Sequence, residues 1–237
     1  MEPQKQSDVE EFIKPDCPRC KGVGWLTRRR TDGSGHMKAE AVPCDALGCY
    51  LERWTAARSG MSSAKGQCFE NFIALKGTEE ALEACKSFSN LEGDFIWLLL
   101  YGAIGSGKTH LANAVVRRAC SCGIDCRLFS VPDLLSEMRR RMAVDREVSE
   151  GTLEAFVAEV KAFEMLVLDD FGAELQTDWA MSRLEEILDS RYRNLRATMV
   201  TTNLNPTQLP PRLHSRFCER DIAQMVLNAG DDHRKRT

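Results

Sequence analysis

The apolar run Phe95-Ile96-Trp97-Leu98-Leu99-Leu100 empties directly into Tyr101-Gly-Ala-Ile-Gly-Ser-Gly-Lys108-Thr109. The run reads as a buried strand, and the segment after it as a phosphate-binding loop at the strand's carboxyl end. Gly102, Gly105 and Gly107 let the backbone turn its N–H groups inward around a polyphosphate, with Ala103, Ile104 and Ser106 completing the cradle. Lys108 reaches the terminal phosphates, and Thr109 offers a hydroxyl to magnesium. A helix starting near Lys108 and His110 adds the positive end of its dipole, and Leu111, Ala114, Val115 and Ala119 give it an apolar stripe.

Downstream, apolar strands alternate with amphipathic helices, the pattern of a parallel sheet covered on both faces. Helices are expected over 79–88, 108–122, 153–163 and 178–193, with a further one after Pro132. Strands are expected over 95–101, 126–131, 165–168 and 197–202. Met165-Leu-Val-Leu168 ends in Asp169-Asp170, which puts two acids at the carboxyl edge of the sheet. A nucleotide-bound magnesium needs a carboxylate there. Asp169 is assigned to magnesium and Asp170 to orienting or deprotonating the attacking water; the plainer reading is a cap for the next helix. Asn203, ending the strand Ala197–Thr202, could hold that water or the γ-phosphate, or serve only as a turn residue. Thr201 and Thr202 could simply satisfy nearby backbone groups.

A chain of 237 residues, 43% of them hydrophobic, can bury one sizeable core and carry a small appendage. Its net charge of −3 makes no global case for nucleic-acid binding, so any such contact must come from a local patch. No apolar run approaches the roughly 20 residues of a membrane span, and Met1 to Glu11 is acidic and polar, so a cytoplasmic protein without a membrane partner is expected.

Ten cysteines in a cytosolic chain do not read as a disulfide framework. Cys17-Pro-Arg-Cys20-Lys-Gly has the gap that turns two thiolates toward one ion, and Cys44 and Cys49 form a looser second pair. A hairpin of 23–29 with 37–42 would bring the pairs together around a tetrahedral, structural zinc. His36 could replace one thiolate, or the cysteines could be unligated. Leu47 to Arg58 reads as a helix, and the small, polar Ser59 to Gly66 as a linker. The expected organisation is a zinc module over 1–58, a linker over 59–66 and an ATPase domain over 67–237. Arg28-Arg29-Arg30 is either a solvated run or a contact for nucleic acid or an acidic partner.

Together these stretches resemble a family, the AAA+ ATPases of the DnaC/DnaI type, which are bacterial replicative helicase loaders, with the IstB-like transposition helper ATPases close by. The resemblance runs through Cys68-Phe-Glu-Asn-Phe72, Trp97 to Ala112, Leu166 to Glu174, Thr201-Thr-Asn-Leu204 and Leu213-His-Ser-Arg-Phe217, in the family's order. It implies a P-loop AAA+ sheet and an ATP-dependent loader that places the replicative helicase on single-stranded DNA, with a DNA transposase helper as the alternative. It also implies that Asn203 senses the γ-phosphate and that Arg216 is an arginine finger donated to a neighbour's ATP within a homo-oligomer, with Arg212 as substitute. Arg212, Arg216 and Arg220 could instead line a solvated helical face. After Arg216 the chain runs only from Phe217 to Thr237, so a core without a helical lid domain is expected. Arg234, in Asp231-Asp-His-Arg234, is either a second sensor or part of a basic tail. The cysteine module resembles the helicase-contacting, zinc-binding domain of some loaders.

Overall fold

The computed structural model describes residues 17–21, 25–31, 37–43, 67–91, 93–148, 151–172 and 177–230. The chain divides into two units, Met1–Ser62 and Ser63–Thr237. In the first, strands β1 (Trp25–Thr31) and β2 (Met37–Pro43) form an antiparallel hairpin that pairs Trp25 with Pro43 and Thr31 with Met37. The expected hairpin is present, with its first strand displaced two residues toward the carboxyl end. Cys17 and Cys20 are buried in a turn closed by the Lys21 N–H donating to the Cys17 carbonyl at 2.8 Å, with Lys21 at φ 52°. Cys44, Cys49, His36, the helix expected over 47–58 and Arg234 lie outside the described residues, among which no cluster of three possible metal ligands occurs.

The second unit is built on five parallel strands: β3 (Trp97–Tyr101), β4 (Cys126–Ser130), β5 (Met165–Phe171), β6 (Ala197–Thr202) and β7 (Ala223–Leu227). Their order is β4-β5-β6-β3-β7. Helix α1 (Glu79–Asn90) precedes the sheet, and the crossovers that parallel strands need are supplied by α2 (Lys108–Ser121), α3 (Val131–Val148), α4 (Thr152–Ala162), α5 (Asp178–Arg193) and α6 (Pro211–Phe217). Side chains alternate across the sheet. Trp97, Leu99, Leu166 and Leu168 join the core built with α3 to α6, whereas Leu98 and Leu100 are buried outside that cluster, on the side where α1 and α2 pack. A strand covered on both faces must be apolar throughout, which is why 97–100 shows no polar alternation.

Helix α3 begins at Val131, one residue before Pro132, and runs on past the basic run to Val148. Glu137 pairs with Arg140 at 2.7 Å and Arg141 at 2.6 Å, which keeps that run helical and holds the Glu137 carboxyl down at about 2. Strand β7 and helix α6 carry no clear sequence signal. Arg220 falls beyond α6, so the three arginines do not share one helical face.

Arg191, in the last turn of α5, is fully buried, and among the described residues its hydrogen-bond partners are backbone carbonyls and one hydroxyl. Its guanidinium donates to the carbonyls of Val160, Lys161 and Phe163 at 3.4, 3.2 and 2.8 Å, to Glu164 and Ala197 at 3.5 and 2.6 Å, and to Thr198 Oγ1 at 3.0 Å. It thereby satisfies the last carbonyls of α4 and ties that helix to β6. Burial pushes its pKa down to about 9, which still leaves it charged at neutral pH.

Among the described residues no helix is long and apolar enough to cross a membrane.

Candidate nucleotide site

In an open parallel sheet, ligands bind outside the carboxyl ends of the strands, where successive connections leave in opposite directions. Here that point lies beside β3: its own connection leads away to β4 at one edge, while β6 is followed by β7 on the other side of β3. The loop between β3 and α2 occupies it. Gly102 has φ 152°, and a Cβ there would sit 2.4 Å from the Asn228 carbonyl oxygen. At Gly107, φ 94°, a Cβ would lie 2.9 Å from the Phe72 ring. Larger residues at either end would push the loop off its supports.

Those supports come from far along the chain. Asn228, fully buried just past β7, donates from Nδ2 to the Ser106 carbonyl at 2.8 Å and from its backbone N–H to Tyr101 at 2.7 Å. Lys108 curls over the loop and donates from Nζ to the carbonyls of Gly102 at 2.9 Å and Ala103 at 2.7 Å. Burial lowers the Lys108 pKa, and the charges of Asp169 and Asp170 pull it back up.

Strand β5 delivers the two acids differently. Asp169 is 6% exposed and Asp170 faces solvent, because the pairing of β5 with β6 slips between Leu168 and Phe171 and Asp170 takes φ 58°. Asp169 Oδ1 accepts from Thr201 Oγ1 at 2.5 Å, and the Thr109 hydroxyl lies on the same wall of the pocket. Burial raises its pKa, while the two hydroxyls and Lys108 oppose the rise. Asn203 Nδ2 donates to Asp170 Oδ1 at 3.0 Å.

Ile104, Gly105, Gly107, Lys108, Thr109, His110, Asp169, Asp170 and Asn203 therefore share one pocket of about 620 Å³. Its wall includes residues to which the sequence assigned no site role: Gln67, Ile73 and Ser130, together with Asn71, Phe72 and Thr201 from stretches that carry the family resemblance. His110 Nε2 lies 2.9 Å from the Cys68 carbonyl oxygen, and its ring meets Phe72 edge-on, with centroids 5.2 Å apart. Asn113 reaches Gln67 at 2.8 Å, so segment 67–72 is strapped across the start of α2. Arg216 does not line this pocket. It pairs with Asp189 and lies over the Tyr192 ring at 5.1 Å, whereas Arg212 is 72% exposed and 3.8 Å from Glu185.

The model of the IstB-like ATP binding protein family matches residues 80–227, from α1 to the end of β7. This chain belongs to that family. The chain is 26% identical over 190 residues to the replicative helicase loader DnaC of Escherichia coli K12, an alignment covering 78% of this chain and 75% of that protein. A crystal structure of the DnaC helicase loader superposes with a TM-score of 0.59 at 24% identity, over 69% of this chain and 97% of that one. The replication initiator DnaA bound to AMPPCP and single-stranded DNA gives 0.55 at 25% identity, over 68% of this chain but only 49% of the DnaA chain. The resemblance to DnaC-type loaders and the AAA+ sheet expected from the motifs are thus what the comparisons find. An IstB-like member with this loop is an ATP-binding protein of a fold that supports ATPase activity.

Proposed function

We propose that this protein is an ATP-dependent loader that places the replicative DNA helicase on single-stranded DNA at the start of replication. The observation that carries the reading is the convergence of Lys108, Thr109, Asp169, Asp170 and Asn203 on one pocket in a chain related to a helicase loader. The ATP phosphates lie in the loop against the amino end of α2, and Lys108 exchanges its two carbonyl partners for phosphate oxygens. Magnesium suits the donors present, since Thr109 and the buried Asp169 offer hard oxygens side by side. Bound there, it would neutralise charge on the β- and γ-phosphates. Asp170, braced by Asn203, orients and deprotonates the attacking water, and Asn203 registers the γ-phosphate. Arg216, donated to the ATP of a neighbouring copy, stabilises charge on the transferring phosphoryl group. Turnover is then tied to assembly, and ATP acts mainly as a switch.

The amino-terminal module holds the helicase. Cys17 and Cys20, buried in one turn, suit two soft thiolate ligands, and with Cys44 and Cys49 they would hold a structural zinc. So short a segment has few apolar residues with which to fold unaided, which favours a metal staple. The transposase-helper reading draws on the family's name alone, while the curated relative of known role is a loader.

The test mixes the full chain with the replicative helicase of the same cell, with and without ATP, and follows helicase transfer to a single-stranded DNA circle. Stable complex formation and ATP-dependent transfer are expected; a chain that neither binds the helicase nor changes its loading has a different function.

A further inference from the structure

Strand β6 pairs Val200 with Leu168 and Thr202 with Phe171. Two residues of β5, Asp169 and Asp170, therefore face one residue of β6, Thr201, across a β-bulge. A bulge leaves a backbone group without its ladder partner, and here the Thr201 side chain takes over that duty. Its hydroxyl accepts from the Asp170 N–H at 3.0 Å and donates its single proton to Asp169 Oδ1 at 2.5 Å. Thr201 is 1% exposed, so water has little access to replace either bond. The same hydroxyl thus braces the left-handed backbone that turns Asp170 outward and fixes the carboxylate of the acid turned inward. Valine has the same shape and a higher strand preference, so packing alone gives no reason for a threonine here.

We propose that Thr201 is a positioning residue for ATP hydrolysis, one hydroxyl that sets how the two acids diverge into a magnesium-side and a water-side role. The proposal rests on the ATPase reading above. It goes beyond it by making the division of labour between adjacent acids a property of the neighbouring strand. Asn203 then meets an Asp170 already aimed at it, and Asp169 keeps its position beside Thr109 as the nucleotide enters.

Three variants of the full chain test this. Thr201→Val removes the hydroxyl at constant shape, while Thr201→Ala and Thr201→Ser both lack the methyl group and differ only in the hydroxyl. The hydroxyl-free variants are expected to lose roughly tenfold or more in kcat, the size expected for a lost hydrogen bond to a charged group, with nucleotide KM nearly unchanged. They should also need more magnesium for half-maximal binding of a fluorescent ATP analogue. Thr201→Ser should stay within about threefold of the parent in both measurements, a deficit of about half a decade. Thermal melts separate a folding defect from a positioning one. If Val does not fold, the Ala and Ser pair decides alone. Wild-type rates and magnesium dependence in the Val or Ala variant would overturn the proposal, as would a Ser variant no better than Ala. If the parent binds ATP without turning it over, the ATPase reading fails. The magnesium-dependent gain in nucleotide affinity then decides Thr201's role: lost in Ala and kept in Ser supports it, equal in both refutes it.

Discussion

The guanidinium of Arg216 forms an ion pair with Asp189 of the same chain and sits over the Tyr192 ring, 5.1 Å from its centroid, so the side chain proposed to serve a neighbour's ATP is held against α5. A finger stored in this way acts only when a second copy arrives. Arg216→Ala should bind ATP normally and lose about a thousandfold or more in turnover, the lower end of the range for removal of an arginine finger. Mixing it with Lys108→Ala, which lacks the nucleotide grip but still carries Arg216, should restore part of the activity through hybrid interfaces. A mixture as inactive as its parts would remove the assignment, and loss in Arg212→Ala instead would move it to the exposed arginine.

Alanine at position 108 can make none of the hydrogen bonds that Lys108 Nζ gives to the loop. Lys108→Ala is expected to abolish nucleotide binding, read as loss of the ATP-dependent thermal shift. For the parent protein, ligand at one hundred times its Kd stabilises by about 2.7 kcal/mol.

Asp169 works against stability. Its pKa is raised by burial, so the folded nucleotide-free protein binds this proton more tightly than the unfolded chain does. Stability from this group is therefore full below the ordinary aspartate range and is lost as pH rises through the raised folded value. Asp169→Asn removes that loss and should stabilise the nucleotide-free protein near neutral pH by about 1 kcal/mol, while magnesium-dependent nucleotide affinity falls. Melting curves over pH 4 to 8 check the sign: the gain over the parent must grow as pH rises.

Arg191 is the reverse case, a buried cation that the fold relies on. Arg191→Leu leaves the carbonyls of Val160, Phe163 and Ala197 without their donor and should cost about 3 kcal/mol or more in urea unfolding. A loss below about 1 kcal/mol would mean that water replaces the guanidinium without difficulty.

The amino-terminal module should fold only with its metal. The double variant Cys17→Ser, Cys20→Ser is expected to carry no zinc by elemental analysis and to lose helicase binding while keeping ATP binding. Retained helicase binding would place that contact on the ATPase unit.

The nucleotide loop, the acids near the end of β5 and the asparagine after β6 are legible in the sequence because each follows a run of strand-forming residues. Helix α5 and strand β6 have the expected bounds for the same reason: long, periodic or wholly apolar segments leave little choice. What escapes is set by distant partners. The bulge at Asp169 and Asp170 exists only once β6 is alongside, so a strand expected to stop at Leu168 continues to Phe171. Strand β7 is short, lies at an edge and follows Glu219-Arg220-Asp221, so nothing local separates it from a loop. Arg191 reads as a surface charge at a helix end until the carbonyls of α4 are brought to it. Segment 67–72 has no periodic pattern, and its place on the pocket wall depends on His110 and Asn113.

Asn228 holds Ser106 across a sequence separation of 122 residues. On the ribosome, the motif that defines the ATP site leaves the exit tunnel long before the residue that shapes it. Until β7 has emerged and joined the sheet, the loop is present without its underlay. The shape of the loop is therefore a property of the assembled sheet and not of the motif alone.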